Sequence, residues 1–152
     1  MKLIEFRAAL NRIRGWLGFD NGTGAELVTN GAFASDTAWT KGTGWTIGSG
    51  VATFSDAGTG TLSQAVGAVA NGIYKVVVTF TRTGGTVTAS VGGVSGTARA
   101  ATGTYIEYIK ATGTGSLTFT PSAGANFTLD DVSCKLVAVA AADRVTVWEE
   151  DQ

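Results

Sequence analysis

Asp130 and Asp131 are the only adjacent carboxylates in the central part of the chain. Neighbouring residues of a strand point to opposite faces, so these two do not flank one cleft as the carboxyl pair of a glycosidase must. The chain has no His. That removes the commonest general base and transition-metal ligand, and with it Ser-His-Asp hydrolysis, Cys-His proteolysis and His-built zinc sites. The single Cys, Cys134, excludes an intramolecular disulfide and a zinc site made of Cys alone. It lies in an apolar strand pattern and reads as a small buried hydrophobe. The Gly-rich stretches lack the Lys-Ser/Thr ending and the following helix of a phosphate-binding loop. Lys41, Lys75, Arg82, Arg99, Lys110 and Lys135 are scattered along the central region, and the net charge is −1, so no basic field attracts nucleic acid. What is left is binding rather than catalysis, and the chain reads as a non-enzyme.

The elements that must position these residues follow from composition and spacing. With 152 residues the chain is one domain, long enough for a sizeable core. Charged residues make up 15% of it, while Gly occurs 22 times and Pro once. Many Gly, Thr and β-branched residues with few charges predict short strands joined by tight turns. Strands are predicted at 27–33, 44–48, 51–55, 60–66, 73–82, 86–91, 94–100, 104–111, 115–120 and 126–137. Alternation is clearest in Tyr74, Val76, Val78 and Phe80. Gly84-Gly85 between two such runs predicts a two-residue hairpin. Regular short strands without helical interludes make a sandwich or barrel, not an α/β fold.

Charge divides the chain into three segments: an N-terminal arm, 1–25; a core domain, 26–137; and an acidic C-terminal arm, 138–152. Residues 1–14 carry a net +3 and residues 138–152 a net −3. In the first arm Leu3, Phe6, Leu10, Ile13 and Leu17 fall at helical spacing on one face, which predicts an amphipathic helix from about Leu3 to Leu17. Three uses of that stripe are open: packing on the domain's own surface, docking on another subunit, or lying on a membrane surface. Charges interrupt every apolar stretch near the N-terminus, so no secretory signal is expected there, and no run is long enough for a transmembrane helix. The expectation is assembly in a cytoplasm.

The central segment then shows a recognisable order. Glu26-Leu27-Val28-Thr29-Asn30-Gly31-Ala32-Phe33 is followed by Trp39 and Trp45, by Leu62-Ser63-Gln64-Ala65-Val66, and by Tyr74 to Phe80. Phe127-Thr128-Leu129-Asp130-Asp131-Val132-Ser133 closes it. Together these resemble the galactose-binding-like jelly roll of carbohydrate-binding modules, over roughly residues 26–137. The resemblance implies an all-β jelly-roll sandwich whose first and last segments pair. It also implies a structural Ca²⁺ at Asn30, Asp130 and Asp131, since hard oxygen ligands suit that ion. Carboxylates satisfied by backbone or solvent are the alternative, and Ala34 stands where family members commonly carry Glu. No other cofactor is implied.

The same family binds glycans on aromatic platforms. By that likeness Trp39, Tyr105 and Tyr108 are the glycan-contact candidates, with Trp45 assigned to the core and Trp39, in the polar loop 35–44, open between core and platform. Tyr105 and Tyr108, three apart, face opposite sides of a strand, so one of them is buried.

A cytoplasmically assembled jelly roll with two arms, similar to domains on tailed-bacteriophage particles, reads first as a virion structural protein, a capsid decoration or cement protein. Its partner is the major capsid protein or another virion subunit. The jelly roll faces outward toward host-surface glycans, and neither nucleic acid nor membrane is bound. Leu3, Phe6, Leu10, Ile13, Trp16 and Leu17 form the first anchor; Val145, Val147 and Trp148 form the second. The alternatives are a free-standing glycan-binding module and a tail-fibre or baseplate component.

Overall fold

The computed structural model describes residues 24–139. The anchor residues Leu3 to Leu17, with their helix, and Val145, Val147 and Trp148 lie outside the described residues.

Ten strands form two five-stranded antiparallel sheets. One sheet has the order β1 (Thr40–Lys41), β4 (Leu62–Ala68), β9 (Gly115–Pro121), β6 (Val87–Val91), β7 (Val94–Ser95). The other runs β2 (Trp45–Gly48), β3 (Val51–Ser55), β10 (Asn126–Val139), β5 (Gly72–Gly84), β8 (Gly103–Lys110). The fold class is therefore as read: an all-β sandwich.

Alternation dictates what lies between the sheets. Tyr74, Val76, Val78 and Phe80 of β5 point inward, as do Leu62, Val66 and Ala68 of β4 and Leu117 and Phe119 of β9. Phe127 is the hub of an aromatic cluster, its ring centroid 5.5 Å from Trp45, 5.6 Å from Phe54 and 5.1 Å from Phe80. Edge-on and stacked rings at these separations add to the area they bury. Truncating Phe127 to Ala would remove contacts to all three and cost about 3–5 kcal/mol.

Several expectations are corrected. The stretch 27–33 is not a strand: beside it only Glu26 forms an isolated bridge, to Lys135. The chain leaves the extended region at Asn30 (φ 57°) and again at Phe33 (φ 48°), and two left-handed residues break any ladder. The first and last segments do meet, through Gly24 N–H to Leu136 O (2.8 Å) and Leu27 N–H to Cys134 O (2.9 Å). Gly84-Gly85 makes no hairpin. It carries the chain from one sheet to the other, since β5 pairs with β10 and β8 while β6 pairs with β9 and β7. Gly85 has φ 72°, and a Cβ there would lie 2.5 Å from the Ala125 Cβ, so the crossover needs a residue with no side chain. The predicted strand 94–100 shrinks to Val94–Ser95, because the chain then turns away and returns only as a bridge between Arg99 and Val87. The short β1 was not expected at all.

Candidate functional site

The site is the outer face of the second sheet. The off-phase residues of the buried runs are the ones that build it. In β5 these are Ile73, Lys75, Val77 and Thr79; in β8, Thr104, Ile106, Tyr108 and Lys110. Register aligns them in rows across the strands. Tyr108 stands opposite Lys75, Lys75 opposite Lys135, and Lys135 opposite Glu26. In the next row Ile106 faces Val77 and Val77 faces Ser133; in the third, Thr104 faces Thr79 and Thr79 faces Asp130. Ile106 and Tyr108 are 56% and 60% exposed, on a sheet whose inner face is closed. Two large apolar side chains exposed side by side make this face the candidate site.

The β10 margin of this face is held by Glu26. Its carboxylate accepts from Ser133 Oγ (2.6 Å), Cys134 N–H (2.8 Å) and Val28 N–H (3.1 Å), with Lys135 Nζ at 4.0 Å. Partial burial pushes the Glu26 carboxyl up, but these hydrogen bonds and the Lys135 charge outweigh it and hold the group below its usual range.

The opposite sheet face carries Ser63, Ala65, Ser116, Thr118, Thr88 and Ser90, and offers no ring for a ligand to stack on. The interior is no better. A cavity of about 10 Å³ opens between the sheets, lined by Val76, Val87, Arg99, Tyr105 and Glu107. That is room for roughly one water. Arg99 Nε is buried there without a partner, while its guanidinium lies 4.7 Å over the Tyr105 ring and 3.5 Å from Glu107. A saccharide does not fit there.

The aromatic candidates separate cleanly. Tyr108 is on the open face. Tyr105 points to the other side of the same strand, as their spacing requires, and its hydroxyl donates to Ala101 O (2.6 Å). Trp39 takes the core alternative: it is 8% exposed, packs against Phe33 and Phe119, and donates Nε1–H to Asn30 O (3.1 Å). Its apolar ring is worth more in the core than in the polar loop, and it is out of reach of a ligand. Trp45 is in the core as expected, donating to Gly60 O (2.7 Å).

The opening and closing motifs meet where Val132 N–H donates to Gly31 O (2.9 Å), and a Cβ on Gly31 would collide with the Val132 carbonyl. Around that contact, the Asn30 side-chain amide donates to Ser35 O and Thr37 O, and Asp130 Oδ1 accepts from Asp131 N–H. A bulge between Asp130 and Ser133, with Asp131 at φ 49°, breaks the alternation, so Leu129 and Val132 both face inward and both carboxylates lie outside the core. Among the described residues no three His, Cys, Asp or Glu side chains gather to hold a metal. The Asn30 amide is spent on two backbone carbonyls and one Asp130 oxygen on the Asp131 N–H, so these side chains are at least partly satisfied by the backbone, the alternative to an ion.

Two features went unread in the sequence. Gln64 is 7% exposed, and its side chain accepts from Thr29 N–H (2.6 Å) and donates to Thr29 O (2.8 Å) and Ala38 O (3.0 Å), tying the 29–38 loop to β4. Its place in the inward phase of Leu62, Val66 and Ala68 was the available signal. The second is that Lys75, Lys110 and Lys135, scattered in sequence, share one face; their spacing from the buried Tyr74, Ile109 and Cys134 could have shown it.

No family model matches the chain, and no curated protein matches it. Solved structures do. The xylan-binding CBM22-1 domain of Xyn10C from Paenibacillus barcinonensis has a TM-score of 0.55 at 16% identity, over 78% of this chain and 99% of that one. The N-terminal cellulose-binding domain of β-1,4-glucanase C from Cellulomonas fimi gives 0.53 at 18%, over 75% and 99%. A mutant of a family 29 carbohydrate-binding module gives 0.54 at 13%, over 81% and 97%. At these identities the likeness shows a shared fold: the chain has the jelly-roll sandwich of carbohydrate-binding modules.

Proposed function

We propose that this domain binds a glycan, without catalysis, on the outer face of the β2-β3-β10-β5-β8 sheet. The observation that carries the reading is Tyr108, exposed beside Ile106 on the open face of β8. A tyrosine ring offers a stacking surface to the apolar face of a sugar, and Ser133 in the next row and Thr79 and Thr104 in the one after it carry hydroxyls on the same face. The similar solved structures support this, since those named above are a xylan-binding domain, a cellulose-binding domain and a carbohydrate-binding module. The test is a glycan array with the wild-type chain and Tyr108→Ala. Binding lost in the variant at unchanged thermal stability is the expected result; equal binding by both removes this face as the site.

A finer reading, a capsid decoration protein of a tailed bacteriophage, has one observation in its favour. Gly24 is hydrogen-bonded to Leu136, so the chain enters and leaves the sandwich at one corner. Ends of the sandwich that lie side by side suit a common anchorage on a neighbouring subunit. Its test is co-sedimentation with phage capsids of the full chain and of a variant lacking residues 1–23; retained binding by the shortened chain refutes the anchor.

A further inference from the structure

We infer that the glycan taken by this face is an acidic one, bearing a carboxylate on the sugar that stacks on Tyr108; the inference rests on the glycan-binding reading above. Lys75 lies directly across from Lys135 on the same face of adjacent strands, with Lys110 two residues beyond Tyr108 on β8. Like charges directly opposite each other weaken a strand pair. A chain with only 11 Lys and Arg places two cations next to one exposed tyrosine, Lys75 across from it and Lys110 two residues on, and a third, Lys135, on the same face beyond Lys75. A local rule broken without structural gain is expected at a functional site.

Neighbouring acids do not cancel this charge. Glu26 lies 4.0 Å from Lys135 but is held by Ser133, Cys134 and Val28, while Asp130 sits two rows away, beyond Ser133. Lys75 and Lys110 have no ion-pair partner among the described residues. The face is therefore positive over β5 and β8 and acidic at its β10 margin.

The shape of that pattern selects the ligand. Tyr108 and Lys75 are a cross-strand pair, with side chains rooted about 5 Å apart. A ring and an ammonium so placed match a uronic acid, whose pyranose stacks while its carboxylate, attached to the same ring, meets the cation. A nucleic acid presents a phosphate at every nucleotide and would run onto Glu26 and Asp130. Lysine is a hydrated point charge, suited to a carboxylate at an open, salt-sensitive site.

The test measures affinity for polygalacturonate, alginate and hyaluronan, each against its methyl ester, and for neutral xylan and single-stranded DNA at low and moderate salt. The acids are expected to bind about tenfold more tightly than their esters, and the double variant Lys75→Met, Lys110→Met to reduce the acids to the level of the esters. Tyr108→Ala is expected to weaken both forms. Xylan or the esters binding as tightly as the acids, with loss in Tyr108→Ala, overturns the acidic preference and leaves the glycan reading standing. No binding to any saccharide overturns both. DNA binding as tight as the best polyuronate, indifferent to Tyr108→Ala, shows charge alone and also overturns the inference. Unchanged melting temperatures of the variants confirm that the fold is intact in each comparison.

Discussion

Replacing Gln64 with Met isolates the lock between the opening loop and the sandwich. Met has nearly the volume of Gln, so it fills the same space while removing three hydrogen bonds to Thr29 and Ala38. Each is worth about 1 kcal/mol net, so losing all three costs about 3 kcal/mol. At roughly 4 °C per kcal/mol for a domain of this size, the melting temperature should fall by about 12 °C. Gln64→Ala should fall further, because a cavity is added to the lost bonds. Urea melts of the two variants should show an unchanged slope and a lower midpoint. Hydrogen exchange should show the Thr29 amide losing its protection. A Met variant within about 0.5 kcal/mol of wild type would refute the reasoning, and would mean that solvent satisfies the loop as well as Gln64 does.

Glu26 provides a pH test. Its carboxyl is held low in the folded chain, so it contributes stability above its unfolded value, near the ordinary 4.5, and that contribution is lost as pH falls through the lower folded value. Glu26→Gln should flatten the acid limb of the stability curve, and an unaltered limb would deny it this role. Cys134 is buried, and burial with the nearby Glu26 charge pushes its thiol up to about 12, so disulfide reagents at neutral pH should react only as fast as the chain opens. Rapid stoichiometric labelling of the native protein would contradict that placement. The calcium expectation at Asn30, Asp130 and Asp131 is tested by melting curves with CaCl₂ and with EGTA: no shift is expected, and a rise of several degrees with calcium would restore the ion.

Most of the sandwich is legible from local pattern. Tyr74, Val76, Val78 and Phe80 alternate because one side of their strand meets a core and the other meets water, and that constraint acts within a few residues. The absence of His and the lone Cys limit chemistry before any fold is known. The opposite facing of Tyr105 and Tyr108 also follows from strand period alone.

Partnership between strands is another matter. Lys75 meets Lys135 and Tyr108 through pairing with distant parts of the chain, and nothing near Lys75 in the sequence encodes which strand will lie beside it. Whether Gly84-Gly85 reverses the chain within a sheet or carries it between sheets depends on the competition among all strands for neighbours, and the crossover brings Gly85 close against Ala125. Trp39 lay in a polar loop by its neighbours, yet Phe33 and Phe119 offer its ring a dry pocket, and burial of that ring outweighs the local pattern. Periodicity is a property of consecutive residues; a binding face is a property of register, and register is set only when the two sheets close over a common core.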